Sequence, residues 1–112
     1  MNLQSIDSAE PFTTKDGSTI REFHHTELQS LAEATVDAGR TTERHYHRAS
    51  EEIYLVLAGE GELEIDGDRR RVRPGDAVLI PAGSWHAIAA ASQLRFLCCC
   101  APPYSHDDTF FD

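Results

Sequence analysis

Three histidines and one glutamate are the residues of this chain best suited to chemistry. His45 and His47 lie two apart, Glu52 comes shortly after, and His86 stands well downstream. In an extended strand residues two apart share a face, so His45 and His47 point one way and Tyr46 the other. Three imidazole nitrogens and a carboxylate oxygen form a good donor set for a divalent transition metal. Such a set leaves positions open on a metal that takes five or six ligands. The bland alternative for a lone His-Tyr-His is a surface strand pair.

The elements that must position these groups are short and β-like. Candidate strands cover residues 18–25, 42–47, 52–59, 61–66, 70–73, 76–80, 84–90 and 94–101. Residues 28–39 are rich in Ala, Leu, Glu and Gln, which favour helix, but the β character of the segments after Gly39 predicts a strand there too. Asp66-Gly67 is a strong two-residue hairpin signal, because both positions tolerate positive φ. Pro74-Gly75 and Pro81-Ala82-Gly83 mark further turns. Strands at short intervals with such punctuation predict an all-β sandwich or barrel. Within 52–59, Glu52, Tyr54 and Val56 share one face, and Ile53, Leu55 and Leu57 share the other. His86, Ile88 and Ala90 share a face in the same way. Two imidazoles from one strand, a carboxylate from its neighbour and a third imidazole from a distant strand could converge inside a barrel.

At this point the spacing resembles that of the cupins. Their first motif, G-x5-H-x-H-x3–4-E-x6-G, is matched by Gly39, His45, His47, Glu52 and Gly59. Their second, G-x5-P-x-G-x2-H-x3-N, is matched by Gly75, Pro81, Gly83 and His86, with Ala90 where the family has Asn. Residues 60–74 form the short spacer of compact microbial members. The resemblance implies an all-β, double-stranded β-helix of the jelly-roll type, RmlC-like in architecture. It also implies that His45, His47, Glu52 and His86 ligate one divalent transition metal, whether Mn, Fe, Ni, Zn or Cu. The likeness to cupins of this size implies a homodimer, and an apolar outward face at Ile53, Leu55 and Leu57 is consistent with cover by a partner.

Other residues could join the site. Glu43, two before His45, is expected to face inward, as a second acceptor behind a ligand imidazole or as a catalytic group; an exposed strand-start carboxylate is an equal alternative. Tyr54, beside Glu52 on the inward face, is the other catalytic candidate. One of His24 and His25 would point inward if 18–25 is a strand. Val56, Ile88, Ala90 and Phe96 are expected to complete a small apolar pocket, with Arg44 turned away. Cys98 and Cys100 share the face of Phe96, Cys99 shares the opposite one, and core packing is the expected role of all three. The arginine run 69–71 reads as a solvated strand edge.

Composition sets the outer bounds. The chain has 112 residues, and 19 acidic against 10 basic side chains give a formal net charge of -9. That argues against nucleic acid or anionic membrane as partners. The expectation is one domain spanning 1–112, with 1–16 as an arm or edge strand and 102–112 as an extended tail after two prolines. With no secretory signal, no membrane span and free thiols, a cytoplasmic location is expected. The expected partner is a small-molecule ligand or substrate. The expected function is dioxygenase-, isomerase- or lyase-type chemistry on a small organic molecule, with a non-catalytic metabolite-binding or sensor protein as the alternative.

Overall fold

The computed structural model describes residues 1–112. Apart from one short 3-10 helix, His106–Asp108, its regular elements are strands. They are β1 (Phe12–Thr13), β2 (Thr19–His25), β3 (Ser30–Val36), β4 (His45–His47), β5 (Glu51–Ala58), β6 (Gly61–Ile65), β7 (Asp68–Val72), β8 (Ala77–Ile80), β9 (His86–Ala90), β10 (Leu94–Ala101) and β11 (Thr109–Phe111). Two antiparallel sheets face each other, in the orders β1-β2-β3-β10-β5-β8 and β11-β4-β9-β6-β7. This is the double-stranded β-helix expected from the sequence.

Residues 28–39 show tertiary context overriding helix propensity. β3 pairs on one edge with β2 and on the other with β10. It therefore lies inside a sheet, and its inward Ala32, Ala34 and Val36 are buried. On its outer face Glu33 is covered by Arg95, whose Nε lies 3.1 Å from the carboxylate. The Asp66-Gly67 pair turns the β6–β7 hairpin with φ of 47° and 87°, as its chemistry requires. β7 is the sheet edge, and its arginines are exposed beside Glu60, Glu62 and Asp68.

The barrel interior divides along its length. Glu52 on β5 and His86 on β9 are buried polar residues at one end. One or two steps further along the same faces come Val56, Ile88 and Ala90, which pack with Leu63, Leu94 and Phe96 in the apolar core. Val56, Ile88 and Ala90 thus form a floor behind the site and do not line its cavity, contrary to the sequence expectation. Alternation identifies the inward face but not where along it the cavity ends.

The tail also departs from expectation. Residues 102–112 do not run off extended. After a cis Ala101-Pro102 bond the chain turns back through the 3-10 helix and adds β11 to the free edge of β4. The physical reason is that β4 pairs with β9 at one position only, His45 with His86. Its other edge needs hydrogen-bond partners, and Phe110 stacks on Tyr46 with ring centroids 5.1 Å apart. On the outer face of the larger sheet, Ile53 and Leu79 stand opposite each other in register and are 46% and 55% exposed, so this sheet face is apolar in the single chain. No helix is long and apolar enough to cross a membrane.

Candidate metal centre

The two motif histidines on β4 point inward because the strand is extended and Tyr46 between them packs outward against Trp85 and Phe110. His86 enters from the neighbouring β9. Glu52 enters from β5, which belongs to the opposing sheet, so the carboxylate reaches the imidazoles across the barrel and not from an adjacent strand. Pairing in sequence suggested neighbouring strands; the sharp turn at 48–50 instead carries the chain from one sheet to the other. That turn is held by the tail: the Ala49 and Ser50 N–H groups donate to the Asp108 carboxylate, and Ser50 Oγ donates to the Pro102 carbonyl.

One ligand-capable atom from each of His45, His47, Glu52 and His86 lies within 4.8 Å of the others, and all four residues are buried. Glu52 Oε1 is 2.9 Å from His47 Nε2 and 3.1 Å from His86 Nε2. The outer nitrogens decide what these inner ones can do. His45 Nδ1 donates to the Glu43 carbonyl at 2.8 Å, and His86 Nδ1 donates to the Ser84 carbonyl at 2.9 Å. Thr109 Oγ1 donates to the Ser105 carbonyl, so it accepts from His47 Nδ1 at 3.1 Å. Each neutral ring therefore carries its proton on Nδ1 and turns an Nε2 lone pair inward. Buried Glu52 Oε1 and His86 Nε2 have no hydrogen-bond partner. Buried acceptors aimed at one another are unfavourable until a cation or proton lies between them. The donor set thus fits a divalent metal by chemistry as well as by position.

Ionisation obeys the same geometry. Burial lowers the pKa of His45, and the neighbouring His86 adds to that. Burial alone would lower His47 too, but the Glu52 carboxylate outweighs it and raises the pKa. Burial would raise Glu52; contact with His47 and His86 holds it well below the usual carboxylate range.

The cavity opens from this cluster toward β2, β3, β10, the N-terminal arm and the returning tail. Its lining includes Phe12, Tyr54, Phe96, Tyr104 and Phe111. Its charged lining residues other than histidine are Asp16, Glu22 and Glu52, with no Lys or Arg. Arg44 is turned away to Glu64 and Asp112, as expected. Tyr54 is inward, as its alternation predicts, and its hydroxyl has no partner within the protein. Burial raises its pKa well above the usual value, so it is a neutral donor.

Several sequence candidates are corrected. The Glu43 side chain is exposed; it is the Glu43 backbone carbonyl that holds His45, because the chain has not yet entered the strand there. Neither His24 nor His25 lines the cavity. A register shift between Glu22 and His24 interrupts the alternation, so the inward row of Ile20 and Glu22 is not continued by His24. Cys98 and Cys100 are not mere core packing. They stand opposite Tyr54 and Glu52 in the β5–β10 ladder, line the cavity, and donate to Glu52 Oε2 at 3.0 and 3.3 Å. Their shared face with Phe96 was visible in the sequence; their register against Glu52 was not. Thr109 and Asp108 were also missed, since nothing local to the tail announces a strand partner.

Comparison with known proteins adds independent information. Residues 32–100 match the family described as "Cupin domain". An uncharacterized protein of Methanocaldococcus jannaschii is 44% identical over 110 residues, covering 92% of this chain and 88% of that protein. An L-ectoine synthase of Nocardia farcinica is 36% identical over 85 residues, 70% of this chain, and the match spans 64% of the enzyme's length. Among solved structures, a single-substitution variant of Streptomyces Pac13 with uridine superposes with a TM-score of 0.86 at 14% identity, covering 100% of this chain and 91% of that one. Pac13 is described as a nucleoside dehydratase; at that identity the likeness is one of fold.

Proposed function

The chain belongs to the cupin domain family, and from that premise we propose that it is a metal-dependent, lyase-type enzyme acting on a small, uncharged or cationic organic molecule. His45, His47, Glu52 and His86 would hold the divalent transition metal. The observation that carries this reading is the convergence of three buried imidazoles and a carboxylate, with Glu52 Oε1 and His86 Nε2 left without a partner. What a bound divalent ion supplies there is Lewis acidity toward a substrate oxygen.

The remaining roles fall to the chain's own side chains. The Nδ1 contacts to the Glu43 and Ser84 carbonyls and to Thr109 fix the three rings in the metal-binding tautomer. Tyr54 presents an unpartnered hydroxyl to the cavity and is suited to donate a hydrogen bond or a proton to a departing oxygen. The aromatic wall of Phe12, Phe96, Tyr104 and Phe111 excludes water from the reacting atoms. A cavity with three carboxylates and no Lys or Arg disfavours dicarboxylates and sugar phosphates, which call for a cation, and suits a neutral molecule or an amine.

The preference for lyase-type over dioxygenase- or isomerase-type chemistry rests on one relative, an L-ectoine synthase, and on the Tyr54 hydroxyl placed to meet a departing oxygen. The test has two stages. Tag-free protein is analysed for metal by mass spectrometry, beside His86→Ala. The loaded protein is then incubated with small hydroxylated and amine-bearing compounds, and water elimination or ring closure is monitored by NMR. Turnover lost in His86→Ala supports the enzyme. Ligand-induced thermal stabilisation with no turnover would instead make it a binding or sensor protein. Absence of stoichiometric metal would sink both.

A further inference from the structure

Glu52 has two carboxylate oxygens, and they face different donor sets. Oε1 faces the imidazoles, as described. Oε2 faces sulfur, with Cys98 Sγ at 3.0 Å and Cys100 Sγ at 3.3 Å. Nothing in the proposed chemistry uses these thiols. One ligand atom from each of Glu52, Cys98 and Cys100 lies within 4.8 Å of the others. Strand geometry produces this. Cys98 and Cys100 are two apart on β10, so both sulfurs emerge on one face, and the ladder sets Cys100 opposite Glu52. Cys99 faces the other way and takes no part in the cluster.

Two thiols and a carboxylate oxygen at the wall of a reachable cavity make a donor set unlike the three imidazoles. Sulfur ligands select soft, polarisable ions, whereas a nitrogen-rich set with one oxygen suits harder first-row divalent ions. We propose that Cys98, Cys100 and Glu52 Oε2 form a second metal site, for a thiophilic d10 cation such as Zn2+ or Cu+, joined to the histidine site through the Glu52 carboxylate. As the ion binds, two metal–sulfur bonds form, two S–H bonds break, and both protons leave to solvent; no oxidation or reduction is involved. Contact with Cys100, burial and the Glu52 carboxylate all push the Cys98 thiol pKa up. Contact with Cys98 would lower Cys100, but burial and the carboxylate outweigh it.

The site stands on the sulfur geometry and not on the lyase reading, and the experiment separates the two. In a Cys99→Ser background, reduced and chelator-stripped protein is titrated with Cd2+, and the ultraviolet thiolate-to-cadmium charge-transfer band is recorded. A band that saturates at one ion per chain is expected. It should be weakened in Cys98→Ser and in Cys100→Ser, and lost in the double variant, with circular dichroism unchanged. It should persist in His45→Ala/His86→Ala, which removes two imidazoles and leaves the sulfurs. A band undiminished in Cys98→Ser/Cys100→Ser, or no band in the Cys99→Ser protein, would overturn the proposal. Failure of the histidine site would show separately, as no stoichiometric first-row metal in protein that still gives the cadmium band.

Discussion

His45 and His86 stand directly opposite each other in the β4–β9 ladder, and their rings close to 4.3 Å, although each donates its outer N–H to a different backbone carbonyl. One cross-strand pair thus unites the two histidine motifs. The pair cannot be satisfied internally, since both inner nitrogens are acceptors. His86→Ala should lower metal affinity by more than the roughly 10–100-fold typical of losing a ligand's hydrogen-bond partner. The measurement is a thermal shift. Wild-type protein at a hundredfold excess of metal over Kd should gain about 2.7 kcal/mol of stability, and His86→Ala should gain little or none. An equal gain in both proteins would remove His86 from the ligand set.

Thr109 gives a subtler test. Its hydroxyl accepts from His47 Nδ1 while donating to the Ser105 carbonyl. Thr109→Val keeps the β-branched shape and the strand but removes the acceptor. Metal affinity should fall by about tenfold, in line with other losses of a ligand's partner, while the unfolding midpoint of the metal-free protein moves little. Unchanged affinity by calorimetry would mean that the His47 ring is held by other contacts.

Metal affinity should also depend on pH in one direction. Burial lowers His45, but the Glu52 carboxylate raises His47, so in the metal-free protein His47 is the imidazole that retains a proton longer as pH rises. Because its folded pKa is raised, that proton stabilises the metal-free fold fully below the unfolded histidine value, and the contribution is lost as pH rises through the raised value. Metal binding must displace the same proton. Affinity should therefore increase with pH across and just above the ordinary imidazole range, with proton release detectable as a buffer-dependent binding enthalpy. A flat profile through that range would count against the Glu52–His47 coupling.

Gly59 closes the first motif at φ +82°, and a Cβ there would run into the backbone carbonyl of Gln93. The left-handed conformation alone costs a non-glycine residue about 1–2 kcal/mol, and the clash adds to it. Gly59→Ala should lower the unfolding free energy by at least that amount, read as a fall in the denaturant midpoint, without removing any metal ligand. Protein that remains folded should therefore still load metal stoichiometrically. A substitution with no effect on the midpoint would contradict the tight approach of these two segments.

The distribution of what was legible reflects the range of the forces involved. Strand alternation is local, so the inward set of His45, His47, Glu52 and Tyr54, and the Asp66-Gly67 hairpin, could all be read along the chain. The spacing of the glycines, histidines and glutamate then pointed to the fold, because each position sits at a turn or on an inward face. What required the tertiary structure was everything decided by which strand lies beside which. The carboxylate of Glu52 comes from the opposing sheet, and register sets Cys98 and Cys100 against it. The tail strand brings Thr109 to His47 and Asp108 to the 48–50 turn, contacts across 62 and 58–59 residues of chain. A register shift in β2 ends the inward row of Ile20 and Glu22 there, so His24 does not continue it. Side-chain direction is a property of two neighbouring residues and is written in the sequence. Register, sheet order and edge closure are settled only when distant segments compete for the same backbone hydrogen bonds and the same buried volume.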